Sequence, residues 1–312
     1  MRILVTGATG FVGSCVARCL VLSGHEVHVT TRVDSNCWRL SGLLNDLRLH
    51  YCDLRDEEKV AGLVLQSRPE AIFHMATYGG YSVQKDSLTT FQTNCLGTMN
   101  LVRACEKIDY TCFINTGSSS EYGLKSHPMA EIDLLEPRGD YGVTKAATTL
   151  FCRSEAMTKG LPIATFRIFS PYGPWDDPKR MIPYVISCKL QGVTPRLSNP
   201  AFVRDYIHID DVVAAYEAAL AVPITPGEIL NIGSGVQHTL GEVVGFIDEL
   251  LPNDPPLWGT TEAKRDEPTC WVADITRARA TLRWQPGAEL HTGLRDTVEW
   301  MREHSGYYSL HG

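Results

Sequence analysis

The stretch Leu4-Val5-Thr6-Gly7-Ala8-Thr9-Gly10-Phe11-Val12-Gly13 constrains this chain more than any other. An apolar, β-branched run enters three glycines at three-residue spacing and passes straight into a helical pattern. Gly7 permits a tight turn, Gly10 lets the backbone approach a pyrophosphate, and Gly13 lets helix and strand pack closely. The helix amino terminus at Phe11 and Val12 then offers free N–H groups and partial positive charge to phosphate. A strand–turn–helix unit built to hold a dinucleotide is the expectation.

The rest of the first 170 residues agrees with it. Candidate strands at Arg2–Thr6, Glu26–Thr30, Leu47–Tyr51, Ala71–His74, Thr111–Asn115 and Ile163–Phe169 alternate with amphipathic stretches. One of these stretches places Phe91, Cys95, Thr98, Val102 and Cys105 at three- and four-residue steps. Such alternation predicts an α/β fold with a doubly wound parallel sheet, a Rossmann domain over residues 1–170. Ligands of such sheets sit beyond the carboxyl ends of the strands. After Ser170 the chain is broken by Pro171-Tyr172-Gly173-Pro174 and by further proline turns as far as Pro256. Residues 171–312 therefore read as a smaller C-terminal substrate lobe, partly interleaved with the sheet domain.

Charge and cysteine usage narrow the function classes. A net charge of −7 argues against nucleic acid as a partner. No charged and hydrophobic leader precedes the strand at Ile3, and no apolar run approaches the ~20 residues of a membrane span. The ten cysteines are scattered without a Cys-x-x-Cys pair or a Cys/His cluster. They predict free thiols in a reducing cytoplasmic setting and no metal centre.

Gly-x-x-Gly-x-x-Gly, in place of the more usual Gly-x-Gly-x-x-Gly, resembles the short-chain dehydrogenase/reductase superfamily. The second strand ends Val29-Thr30-Thr31-Arg32, with Arg39 further on and Asp34 slightly too late to meet a ribose hydroxyl. An arginine there accommodates a 2′-phosphate, so NADP(H) is favoured with NAD(H) as the alternative. Asp53-Leu54 resembles the superfamily's adenine-contacting pair, and His74-Met75-Ala76 its segment along the cofactor.

Tyr141 and Lys145 stand one helical turn apart, so a phenol and an ammonium share one helix face. A nearby cation favours phenolate and fits the tyrosine for acid–base work. One sheet unit earlier lies Gly117-Ser118-Ser119-Ser120-Glu121-Tyr122-Gly123. A serine at that strand end can hydrogen-bond a reacting oxygen. Counting back from Tyr122 gives Ser118, and allowing a one-residue deletion gives Ser119, towards which the reading leans.

With these motifs together the chain resembles an extended short-chain dehydrogenase/reductase of the nucleotide-sugar epimerase/dehydratase family. The resemblance implies that Tyr141 exchanges the sugar's proton, that Lys145 lowers its pKa and holds the nicotinamide ribose, and that Asn94 is the family's helix asparagine beside the cofactor. It makes a nucleotide-diphosphate sugar the partner, with Arg204 and Arg265 gripping the diphosphate and Ser170 where the family has an asparagine. It also implies a homodimer through the helices of Asn94 and Tyr141. Asp210 or Asp211 is expected to cap the helix running to Leu220.

Three reactions share such a site: 4-epimerisation, 4,6-dehydration with Glu121 as the added base, and 4-keto reduction. The compact Gly-Ser-Ser-Ser-Glu-Tyr-Gly loop resembles reductases of 4-keto-6-deoxy nucleotide-sugars, and Arg32 agrees, so NADPH-driven reduction is the first expectation. Epimerisation comes next and dehydration third. A non-catalytic dinucleotide sensor is the reading from another class, against which the retained Tyr141 and Lys145 argue.

Overall fold

Seven parallel strands carry the site. The computed structural model describes residues 1–81, 83–252, 254–260 and 268–308. Strands β1 (Arg2–Thr6), β2 (Glu26–Thr31), β3 (Leu47–Tyr51), β4 (Ala71–His74), β5 (Cys112–Ser118) and β6 (Ile163–Ile168) follow the six expected runs, with β5 extended to Ser118. A short sheet holds β7 (Ser170–Tyr172), β8 (Val203–His208) and β10 (Gln237–Thr239), while β9 (Ile229–Ile232) joins the large one. The large sheet runs β3-β2-β1-β4-β5-β6-β9. Its order reverses between β1 and β4, which opens a crevice at their carboxyl ends.

Both faces of these strands are apolar, as a parallel sheet buried on two sides requires. Ile3, Val5, Phe73 and Ile114 face one core with Val16 and Leu20 of helix α1 (Phe11–Leu22). Leu4, Ile72 and Phe113 face the other. There they meet α2 (Glu57–Ser67), α4 (Gly97–Cys105) and α5 (Gly139–Lys159), the helix α3 (Ser87–Phe91) standing just before α4. A third core joins α6 (Met181–Leu190), α8 (Leu240–Leu250) and α10 (Leu290–Glu303) through Val185, Val243 and Leu294.

Residue 170 is not a clean divide. Helices α7 (Ile209–Leu220) and α9 (Thr276–Leu282) pack Val212, Tyr216 and Ala278 into the first core, and β9 extends the sheet next to β6. The sequence expectation for α7 needs correction at its start. Strand β8 runs directly into it, so the cap falls on His208, whose Nδ1 accepts from Asp210 N at 3.4 Å. Asp211 instead accepts from Gly287 N and Ala288 N, tying down a distant loop.

The stretch from Phe91 to Cys105 also departs from its expected period. A π turn, Gln92–Leu96, links α3 to α4. Its extra residue turns Phe91 out to solvent while Thr98, Val102 and Cys105 stay buried.

Candidate active site

The glycine turn behaves as its spacing predicts. Gly7 has φ +72°, and a Cβ there would lie 2.5 Å from Ala76 N. Gly10 N donates to Gly7 O at 3.0 Å, and a Cβ on Gly13 would overlap that same carbonyl. Gly10 caps α1 without any side-chain bond, and the first turn holds no acidic residue. Phe11 and Val12 thus line a cleft of about 920 Å³ with no acidic side chain in their own turn. Among the residues lining it are Gly7, Gly10, Phe11, Val12, Gly13, Arg32, Asp53, Leu54 and Ala76, of which the backbone N–H groups of the glycine turn and helix start fit a dinucleotide pyrophosphate.

At the far rim Arg32 Nε pairs with Asp34 Oδ1 at 3.4 Å, both side chains exposed. Asp53 accepts from Arg55 Nε at 3.0 Å and Nη2 at 2.6 Å, and these hydrogen bonds hold its carboxyl below the usual range. Arg39 does not join this group. It is buried against the glycine loop, with Nη1 3.4 Å from Thr9 O, Nε 2.7 Å from Trp175 O and its guanidinium over the Trp38 ring. It therefore gives no support to a 2′-phosphate.

His74 sits between Thr6 Oγ1 at 2.7 Å and Thr98 Oγ1 at 2.8 Å. Burial pushes it down to about 3, so it stays neutral. Asn94 needs a correction. Its Oδ1 accepts from Tyr78 N at 2.8 Å, and its Nδ2 donates to Tyr78 O and to Thr144 Oγ1, each at 2.9 Å. It clamps the loop after β4 to α5 and is not among the cleft-lining residues, because the π turn points it at the neighbouring helix.

Helix α5 presents Tyr141 and Lys145 to the cleft, facing Ser118, Ser119 and Ser120 at the end of β5. Lys145 Nζ donates to Thr116 O at 2.7 Å, and burial lowers the amine to about 8. Burial raises the Tyr141 phenol, whereas hydrogen bonding with Ser118 and the charge of Arg180 pull it down. Two expectations change here. Ser118, not Ser119, is the serine acting on the phenol, because the strand continues to Ser118 before the chain turns. The charge that pulls the phenol down is that of Arg180 just before α6, while Lys145 Nζ lies 5.9 Å from the Tyr141 ring centre and donates to the β5 backbone.

Glu121 is also displaced from its expected role. Its Oε1 accepts from Ser118 N at 2.9 Å and its Oε2 from Arg167 Nε at 2.8 Å, and both side chains are buried. It lies beneath the strand end and does not line the cleft, so it is not placed to take a proton from a sugar.

Toward the small sheet the cleft is lined by Ser170 and Arg204. Arg204 donates to Val203 O at 2.6 Å and lies over the Trp271 ring. Arg265 lies outside the described residues. Sequence reasoning missed Arg180, Trp271 and Arg167. Arg180 and Trp271 carry no spacing signal. Arg167 did: a charge inside the apolar run Ile163–Ile168 demands a buried partner.

Among the described residues no group of three or more His, Cys, Asp and Glu is placed to hold a metal ion, and no helix is long and apolar enough to cross a membrane.

Residues 3–233 match the model of the NAD dependent epimerase/dehydratase family. The chain belongs to that family. Its members are enzymes of the extended short-chain dehydrogenase/reductase type. The chain is 27% identical to the dTDP-glucose 4,6-dehydratase of Streptomyces griseus, covering 98% of this chain and 96% of that protein. The UDP-glucose 4-epimerase of Thermotoga maritima with UDP-glucose superposes at a TM-score of 0.89 with 26% identity, covering 98% and 100% of the two chains. The UDP-glucuronic acid 4-epimerase of Bacillus cereus, in complex with UDP-glucuronic acid and NAD, gives 0.85 and 25%, covering 97% and 100%.

Proposed function

We propose that this enzyme is a 4-epimerase of a nucleotide-diphosphate sugar that recycles a bound nicotinamide, with NAD(H) as the cofactor of this reading. One observation carries the choice. Beside Tyr141 the described cleft wall offers the hydroxyls of Ser118, Ser119 and Ser120, and the carboxylate of that same loop, Glu121, is held under the strand by Arg167. Epimerisation needs one acid–base group at the sugar oxygen, whereas dehydration needs a further base at C5. The bound nicotinamide would supply the chemistry of accepting and returning the C4 hydride. Tyr141 takes and returns the hydroxyl proton, Ser118 orients that oxygen, and Lys145 provides the ammonium that holds the cofactor ribose. Arg204 and Ser170 face the diphosphate-sugar, with Arg265 as a second arginine for it.

NADPH-driven reduction of a 4-keto-6-deoxy sugar is the second reading. It is favoured by the exposed Arg32 guanidinium at the cofactor's 2′ end. One experiment separates the two. Purified enzyme is incubated with nucleotide-hexoses without added cofactor, and separately with NADPH and a 4-keto-6-deoxy nucleotide-sugar. Isomerisation in the first tube supports epimerisation, and stoichiometric NADPH oxidation in the second moves the assignment to a reductase.

A homodimer belongs to the same proposal. Val143, Leu150 and Met157 lie exposed at seven-residue steps along α5, and Leu88, Phe91 and Leu96 are exposed on the adjoining helical stretch. Such an apolar stripe on paired helices suits a second copy.

A further inference from the structure

Successive side chains of a strand point to opposite faces. On β8 Arg204 is half-buried and lines the cleft, and its neighbour Asp205 is wholly buried. Asp205 is a joint between β8, the turn after β9 and the segment of Ala273. Its Oδ1 accepts from Ser234 N and Ser234 Oγ, each at 2.7 Å. Its Oδ2 accepts from Gly235 N at 3.1 Å and Ala273 N at 3.0 Å. Gly233 makes room for this joint, since a Cβ there would lie 2.7 Å from both Asp205 Oδ2 and the Ala273 Cβ.

The joint fixes an aromatic side chain along with the loop. Trp271 stands two residues before Ala273, and its N donates to Gln237 Oε1 at 2.6 Å. Gln237 in turn pairs with Asp205 in the antiparallel register of β10 and β8. The segment that carries the indole is thereby held at two points, and the Arg204 guanidinium lies over the ring, 5.1 Å from its centre. Val203 O accepts from Arg204 Nη1 at 2.6 Å. A guanidinium carries five N–H donors in a planar fork, and a ring against its face leaves the edge of the fork to meet paired acceptors. Trp271 lines the same cleft as Arg204 and Ser170.

We propose that Trp271 is a positioning residue whose indole sets the Arg204 guanidinium for the diphosphate of the substrate, with Asp205 as the joint that fixes the indole. An unsupported arginine loses rotamer freedom when it binds a ligand, and the backing ring removes part of that freedom beforehand. This inference rests on the nucleotide-diphosphate sugar as substrate.

The test is calorimetric. Full-length protein with NAD added is titrated with UDP, dTDP, GDP, CDP and ADP in turn, and the tightest of them is carried into a cycle of Trp271→Leu, Arg204→Leu and the double variant. Trp271→Leu should weaken binding about tenfold, and Trp271→Phe, which keeps an aromatic face, should restore it to within about threefold. The loss should shrink to about twofold or less in the Arg204→Leu background, because the ring acts through the guanidinium. With the matching nucleotide-sugar, KM should rise about tenfold in Trp271→Leu while kcat stays within about twofold. Should Trp271→Leu not fold, Gln237→Ala, which releases the Trp271 backbone, takes its place with a smaller loss and the same dependence on Arg204. Unchanged affinity overturns the inference, and so does a loss that persists in full without Arg204, which would make Trp271 a direct contact. The expected pattern in a protein that turns over no nucleotide-sugar supports the inference and breaks the proposed reaction instead. A parent protein that binds none of these diphosphates removes the nucleotide-sugar substrate, and the inference with it.

Discussion

Two pairs of opposite charges, one beneath the cleft floor and one at its rim, meet solvent differently. Beneath the cleft Glu121 and Arg167 lie buried, hydrogen-bonded to each other, to Ser118 N and to Tyr122 Oη. At its rim Arg32 and Asp34 are 50% and 80% exposed, and water competes for both. The buried pair is architecture, since separating it strands a charge in low dielectric. The exposed pair contributes little to stability and is free to regroup around whatever the cofactor brings. An arginine in a motif thus says little about recognition until its burial is known.

The largest effect should come from the group between these two regions. Tyr141→Phe is expected to lower turnover by about 10²- to 10⁴-fold with an unchanged melting temperature. Retained turnover would return the chain to the sensor reading.

Next comes the buried pair itself. Arg167→Met should cost about 3–5 kcal/mol in urea unfolding, because Glu121 is left buried and uncompensated. Glu121→Val combined with Arg167→Met should recover most of it. A single variant as stable as the double would show that water reaches the pair and would erase the contrast with the rim.

The pH response is smaller and has two signs. Burial lowers Lys145 from its ordinary 10.5 to about 8, so the unfolded chain binds this proton more tightly than the folded one. The cost of burying the ammonium is present in full below about pH 8 and is relieved as pH rises toward 10.5. Stability through this group therefore rises over that window, while turnover that needs the ammonium falls. Parallel denaturation and kcat profiles between pH 7 and 10 check both directions (about 7 and about 10 being the outer limits).

The rim should respond least. Arg32→Ala is expected to leave the melting temperature in place and to weaken NADPH relative to NADH by no more than about tenfold. A much larger loss, measured by titration of each nucleotide, would make Arg32 a true 2′-phosphate site and favour the reductase reading.

The fold was largely readable because its signals are local. Six strand positions, the glycine turn, and the shared face of Tyr141 and Lys145 follow from side-chain period and from which residues tolerate a backbone at φ +72°. The seventh strand, Ile229–Ile232, escaped because a four-residue apolar run has no period of its own. The cap of α7 fell on His208 because β8 ends there, a boundary that composition does not mark.

The sequence by itself determined the glycine turn, the shared helix face of Tyr141 and Lys145 and the family, all of which depend on residues a few positions apart. Only the tertiary structure decided what the charged residues do. Glu121 reads as a surface base until β6 brings Arg167 opposite Gly117. Asn94 reads as a cofactor ligand until the π turn aims it at Thr144. Arg39 reads as a phosphate contact until the chain folds it under Trp175. The physical reason is common to all three: the role of a polar group is set by its partners and its distance from water, and those partners are 46, 50 and 136 residues away.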